Sequence, residues 1–452
     1  MKIKLLVIAV LFRITTNAQC YRYIDAGIYH VLALKSDNTL WGWGANYSGE
    51  LGDGTYQSRP AISQIGTASN WLTIATGSEH TIALKTDGTL WTWGSNNSGQ
   101  LGDGTTIKKN TPVQIGTDND WQSISAKGNT SFAIKNNGTL WGWGQNNISN
   151  VGLGFYSLNI TVPTQVGTAT NWKNVYAGFD ITVAIKTDNT LWAWGSNLYG
   201  KIGVGGFMGN YLSPIQVGTD NDWKEVSTGY HTLALKQNGT LWAWGNNSYG
   251  ELGDNTTTNK DLPMQVGTAN DWLHIHATTY SSYGIKNNAT LWTWGSNANY
   301  EMGNGTTTNI SIPTQINNET NWKIIAPRGG HVEALKTDNS IYYWGANYGF
   351  LPATVVTTPT QMANNCLLST ESFNLVEQVK LFPNPANHMV TIENQSNEKI
   401  TTIVFYDLIG KEVVSLKNNF ETIHVDKLQN GMYLVIINFE NDFTKTVKFI
   451  KK

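Results

Sequence analysis

Residues 90–105 read LWTWGSNNSGQLGDGT, residues 40–55 read LWGWGANYSGELGDGT, and residues 241–256 read LWAWGNNSYGELGDNT. The Trp-x-Trp-Gly element begins at Trp41, Trp91, Trp141, Trp192, Trp242 and Trp292, with an altered copy, Tyr-Tyr-Trp-Gly, at Tyr342. Successive starts lie 50 or 51 residues apart. A second tryptophan opens each unit at Trp71, Trp121, Trp172, Trp223, Trp272 and Trp322, with Tyr21 in that slot of the first unit. These positions use all 19 tryptophans of the chain, so none is left for a separate site.

Inside a unit the apolar residues alternate in short runs broken by turn residues, the pattern of half-buried strands. Trp71-Leu-Thr-Ile-Ala, His80-Thr-Ile-Ala-Leu-Lys, Leu90-Trp-Thr-Trp and Pro112-Val-Gln-Ile-Gly are predicted strands. Gly88 in Thr86-Asp-Gly-Thr supplies the positive φ that a tight hairpin requires. Four short antiparallel strands, repeated seven times, predict an all-β chain built as a seven-bladed β-propeller. The tryptophans are expected in the wedges between blades, where flat sheets alone would leave voids.

These units resemble repeats of the regulator of chromosome condensation family, which is a seven-bladed propeller. The resemblance rests on Gly77-x-x-His80, Ala83-Leu84, Gly88-Thr-Leu-Trp-Thr-Trp-Gly94 and Gly99-Gln-Leu-Gly102, and it covers about residues 20–366. Some copies depart from it. Thr130, Ile181 and Ser281 fill the histidine slot of units three, four and six, and the seventh unit reads Tyr348-Gly-Phe-Leu-Pro in place of the Gly-x-Leu-Gly loop.

With 452 residues the chain is too long for one ordinary core, as the repeats agree. Charged residues make up 14% and the formal net charge is −2, so neither nucleic acid nor an anionic membrane is an expected partner. At the start, MKIKLLVIAVLFRITTNAQC has Lys2 and Lys4, then apolar Leu5 to Phe12, then Ala18 where a signal peptidase expects a small residue. Residues 1–18 are predicted to be a cleaved export signal. The apolar stretch is too short to span a bilayer, and no other segment is apolar enough to span one. Export favours a disulfide between the two cysteines, Cys20 and Cys366, which flank the ring. Lipidation of Cys20 is the weaker reading, because Gln19 stands where a small residue is expected.

His30, His80, His231 and His331 recur in one slot of different blades, which spreads them apart instead of converging them on a metal. A structural role bonding local backbone is expected, and no metal or cofactor. Asp53, Asp103 and Asp254 read as turn residues more than as calcium ligands, and the asparagines at 46, 96, 146, 197, 247, 297 and 347 read as Asx turns. The acidic residues with suggestive neighbours belong to the repeated pattern, so no convergent catalytic set emerges and no enzyme is expected. Recognition is predicted where the repeats disagree. Most units carry Thr- and Asn-rich loops, whereas units three and four carry Phe155, Tyr156 and Leu158, then Phe207, Met208, Tyr211 and Leu212. The alternative is that these two loops only pack on each other.

After a linker at 367–380, residues 381–452 alternate as a small Ig-like β-sandwich. They resemble the C-terminal sorting domain of type IX secretion cargo in the Bacteroidetes, through Phe382-Pro383-Asn384-Pro385-Ala386, Tyr406-Asp407 with Gly410-Lys411, Leu428-x-x-Gly431-x-Tyr433, and Thr446-Val-Lys-Phe-Ile-Lys451. That resemblance implies passage through the periplasm and release or attachment at the cell surface, with the type IX machinery as partner. The expected function is a secreted or surface-bound monomer that recognises an extracellular protein or glycan. An extracellular hydrolase or lyase with a site drawn from several blades is the alternative. Guanine-nucleotide exchange is disfavoured by the predicted location.

Overall fold

The computed structural model describes residues 20–346, 355–362, 379–394, 399–407, 411–418, 420–440 and 444–452. The predicted export signal and its cleavage site after Ala18 therefore lie outside the described residues. The chain divides into two compact units, residues 1–365 and 366–452.

The first unit holds seven four-stranded antiparallel sheets, each formed from one continuous stretch. They run from Tyr21 to Gln64, Trp71 to Gln114, Trp121 to Gln165, Trp172 to Gln216, Trp223 to Gln265, Trp272 to Gln315 and Trp322 to Gln361. In the second blade the strands are Trp71–Thr76, His80–Lys85, Leu90–Gly94 and Lys109–Gln114. The fourth begins three residues before the expected Pro112. Gly88 turns the central hairpin at φ +79, its N–H donating to the carbonyl of Lys85 at 3.0 Å. The first strands of successive blades lie side by side around the centre, and Tyr21–Ala26 meets Trp322–Arg328 to close the ring.

Between blades the tryptophans do the packing. Trp71 and Trp93 sit buried against Leu32, Leu34 and Leu40 of the preceding blade. Trp93 Nε1 donates to the carbonyl of Glu50 at 2.9 Å, and Trp143, Trp194, Trp244, Trp294 and Trp344 repeat that bond one blade further on each time. The other indole of each third strand, such as Trp91, meets the strand-opening ring edge to face, 6.1 Å from Trp71. Such pairs add about 0.5–1.5 kcal/mol each to the burial. Lysine caps them. Lys85 Nζ stands 3.7 Å from the Trp91 ring centroid, and Lys35, Lys135, Lys186, Lys236, Lys286 and Lys336 take the same place in the other blades.

The second unit pairs a sheet of Val379–Phe382, Met389–Asn394 and Ile423–His424 with a sheet of Glu412–Leu416, Ile400–Tyr406, Gly431–Phe439 and Thr444–Lys451. Val390, Ile403, Phe405, Val435, Ile437 and Phe449 form its core. Among the described residues no helix is long and apolar enough to cross a membrane.

Candidate functional site

In each blade the turn between strands one and two, and in blades one to six the long loop between strands three and four, emerge at one end of the sheet. The long loop is built on one asparagine. Asn46 Oδ1 accepts from the N–H of Leu51 at 2.9 Å, while its Nδ2 donates to Asp53 Oδ1 at 2.9 Å and to the carbonyl of Thr55 at 3.1 Å. Asn96, Asn247 and Asn297 do the same. These side chains staple five to nine residues onward, so the expected Asx turns are corrected to loop staples; Asn347 lies outside the described residues. The Asx turn belongs to Asp53 instead, whose Oδ1 accepts from the N–H and the hydroxyl of Thr55, both at 2.8 Å. Arg59 takes its other oxygen at 2.5 Å. Burial works to raise the Asp53 carboxyl, but these bonds outweigh it and hold the group below its ordinary value.

Two of the slot histidines act between blades and not, as expected, on local backbone. His80 Nε2 bonds Ser131 Oγ at 2.8 Å and His231 Nε2 bonds Ser282 Oγ at 2.6 Å, each in the following blade. Burial pushes both, and His30, down to about 3, so the rings are neutral.

On this scaffold the exposed rings are distributed unevenly. Tyr29, Tyr47, Tyr56, Phe155, Tyr156, Phe207 and Tyr249 are the strongly exposed aromatics among the described residues of the propeller. Every one lies in a one–two turn or a three–four loop, at the same end of its blade. At the opposite end, the turns 36–39 and 86–89 read Ser-Asp-Asn-Thr and Thr-Asp-Gly-Thr. The end with the long loops is therefore the aromatic face.

The predicted recognition residues fall on that face. Leu158 is 75% exposed and Met208 is 81% exposed, with Phe155, Tyr156 and Phe207 about half exposed beside them. The two loops touch, since Gly154 N–H donates to the carbonyl of Leu212 at 2.8 Å and Asn210 Nδ2 to Tyr156 Oη at 3.4 Å. Tyr211 and Leu212 are half-buried, and Tyr211 packs against Ile202, Val217 and Trp194. A run of rings that sequence reasoning missed continues the face: Tyr199 to Tyr230 at 6.3 Å, Tyr230 to Tyr280 at 5.4 Å, and Tyr280 to Tyr249 at 4.9 Å. For Tyr199 and Tyr249 the signal was present in the Leu-Tyr-Gly at 198–200 and the Ser-Tyr-Gly at 248–250, where the second copy has Asn-Ser-Gly at 97–99.

The description "RCC1-like domain" matches residues 10–332, more than half of the chain. The chain belongs to the RCC1-like domain family. The seventh blade runs beyond that match, to Gln361. Human WBSCR16 superposes with a TM-score of 0.64 at 18% identity, over 72% of this chain and 94% of that one. Prp20p, the RCC1 of Saccharomyces cerevisiae, has a TM-score of 0.62 at 19% identity over 78% of this chain and 86% of its own, and a second structure of it bound to Kap60 gives 0.62 at 20% identity over 68% and 78%. At such identities the likeness is one of fold. No curated protein sequence matches the chain.

Residues 380–452 match the "Secretion system C-terminal sorting domain", which directs the RCC1-like chain through type IX secretion to the cell surface or the extracellular space. Within this domain Asn384 ties its motif to the last strand: Nδ2 donates to the carbonyl of Lys448 at 2.6 Å and Oδ1 accepts from the N–H of Ile450 at 2.9 Å. Phe382 is 66% exposed, Tyr433 is buried with its hydroxyl on the carbonyl of Gln429 at 2.7 Å, and Gly410 lies outside the described residues. Cys20 is disulfide-bonded, and Cys366 lies outside the described residues.

Proposed function

We propose that the protein is a non-catalytic extracellular binder whose aromatic face, centred on the long loops of blades three and four, recognises a protein partner or the protein part of a glycoconjugate. The observation that carries this is the confinement of the exposed rings to one end of the blades. Contiguous exposed apolar surface marks interaction sites, and aromatic side chains dominate their energetics. Exposed Leu158 and Met208 among the rings favour protein over bare glycan, because sugar faces stack on rings but offer little to an aliphatic side chain. The low charge of the chain agrees with recognition by packing more than by electrostatic steering.

The test uses the full chain as bait against the surface and medium fractions of its own culture, with and without Phe155, Tyr156, Phe207 and Met208 replaced by Ser. The reading expects retained partner to fall by at least about 1.4 kcal/mol of affinity, tenfold, with an unchanged melting temperature. A lowered melting temperature with retention unchanged would show that the two loops only pack on each other.

A further inference from the structure

The ring centre carries a second feature, unrelated to the aromatic face. The seven first strands enclose a cavity of about 440 Å³, a volume typical of small-molecule sites. Burial deepens along it. At the strand starts the His274–Glu225 pair stands at 3.1 Å with side chains 52% and 21% exposed, while Lys127 and Arg328, at the strand ends, are each 5% exposed.

These two cations are departures from the repeat. Their slot holds Gly27, Gly77, Gly178 and Gly229 in blades one, two, four and five. Lys127 Nζ crosses the ring to donate to the carbonyls of Thr228 at 2.8 Å and Ala277 at 3.0 Å, which leaves one of its three N–H groups. Arg328 donates from one terminal nitrogen to the carbonyl of Thr76 at 3.3 Å. Phe179 lies between them, 5.7 Å from Lys127 Nζ and 5.5 Å from the guanidinium carbon. Among the described residues, no carboxylate stands within ion-pair distance of either cation. Asp25 acts on both cations as a countercharge from beyond ion-pair distance, its oxygens accepting from the N–H groups of Ala26 at 3.0 Å and Thr76 at 2.8 Å.

Three buried polar atoms of the lining also lack a partner among the described residues: Arg328 Nε, His276 Nε2 and Ser123 Oγ. Buried charges are ordinarily paired and buried polar atoms hydrogen-bonded, so two cations without a contacting carboxylate and three open atoms around one cavity call for a ligand. We infer that the cavity binds a small anionic, hydroxyl-rich molecule of about one sugar ring, its carboxylate or phosphoryl group on Arg328 and Lys127 and its hydroxyls on Ser123 and His276. Burial lowers Lys127 well below the ordinary lysine value, Arg328 to about 10, and His276 well below the ordinary histidine value. A bound anion would offset the cost of both cations, and a neutral His276 can donate to or accept from a hydroxyl.

Isothermal titration of the full chain with D-glucuronate and with D-glucose 6-phosphate tests this and separates the two anion types, with D-glucose as the neutral control. The inference expects saturable one-site binding of at least one acid, none of glucose, and a loss of about 10- to 100-fold in affinity on Arg328→Gln. Ser replacements at Phe155 and Phe207 should leave this binding intact, which keeps the two proposals separate. If Arg328→Gln fails to fold, Ser123→Ala with His276→Gln takes its place, since neither alters a buried charge. Binding of neither acid, equal binding of glucose, or affinity unmoved by these variants would overturn the inference and leave a water-filled structural channel.

Discussion

Gly77 and His80 show how tightly single residues are coupled inside a repeat. A Cβ on Gly77 would overlap the His80 ring, whose Nε2 holds Ser131 in the next blade. In two of the three blades where a side chain returns to the glycine slot the histidine is gone, Lys127 going with Thr130 and Thr278 with Ser281, while Arg328 in the seventh keeps His331. Gly77→Ala is therefore expected to cost about 2–4 kcal/mol by urea unfolding, and His80→Thr added to it should recover part of that loss. Strict additivity in the cycle would contradict the coupling. The departures were visible in the sequence, but the histidine slot read alone gave only a tally of exceptions. The coupled slot three residues earlier accounts for Thr130 and Ser281 but not for Ile181, which keeps Gly178, and the distance that couples the two slots is a three-dimensional fact. The lysine that ends each second strand was equally visible and went unread, because a cation over two indoles leaves no trace in a hydrophobic pattern.

At the scale of the element, the second strand of blade seven breaks its own rule. Leu32, Ile82, Phe132, Val183, Leu233 and Tyr283 occupy a buried slot that in the seventh blade belongs to Glu333, 3% exposed. The acidic residues thus do not all follow the repeat, which corrects the expectation from sequence. Burial pushes the Glu333 carboxyl up to about 8 and His331, 3.6 Å away, down to about 4. Between those values neither is charged, so the contact is no ion pair. The folded chain keeps a proton that the unfolded chain releases above about 4.5, and stability should fall as pH rises from there towards 8. The slope from this residue is on the order of 1 kcal/mol per pH unit. Glu333→Gln, measured by thermal unfolding from pH 5 to 9, should flatten that slope and gain most at the alkaline end. An unchanged slope would mean that Glu333 is ionised in the fold.

For the whole molecule, the ring was legible because its strands, turns and wedge tryptophans repeat seven times and local chemistry fixes each. How the ends meet was legible in part, since Tyr21 fills the strand-opening slot of the first unit and the two cysteines flank the ring. Blade one takes all its strands from residues 21–64 and blade seven from 322–361, so no strand crosses the seam. Closure rests on Tyr21, Ile24 and Trp43 packed against Ala326, Leu335, Ile341 and Met362. A Cys20–Cys366 bond would reinforce that seam, and loops beyond 100 residues gain about 4–5 kcal/mol from such a link. Non-reducing peptide mapping of the exported protein should recover the two cysteines in one cross-linked pair; a Cys20–Cys20 link between chains would contradict it.

The recognition loops were legible only as disagreements between copies, and their meaning came from the fold, which gathers the exposed rings at one end of the blades. Hydrogen exchange of the full chain, alone and with its captured partner, tests that meaning most directly. Slowed exchange in residues 146–158 and 197–209, with the turns at 36–39 and 86–89 unchanged, is the expected result. Protection of those opposite turns, or of neither end, would contradict recognition by the aromatic face.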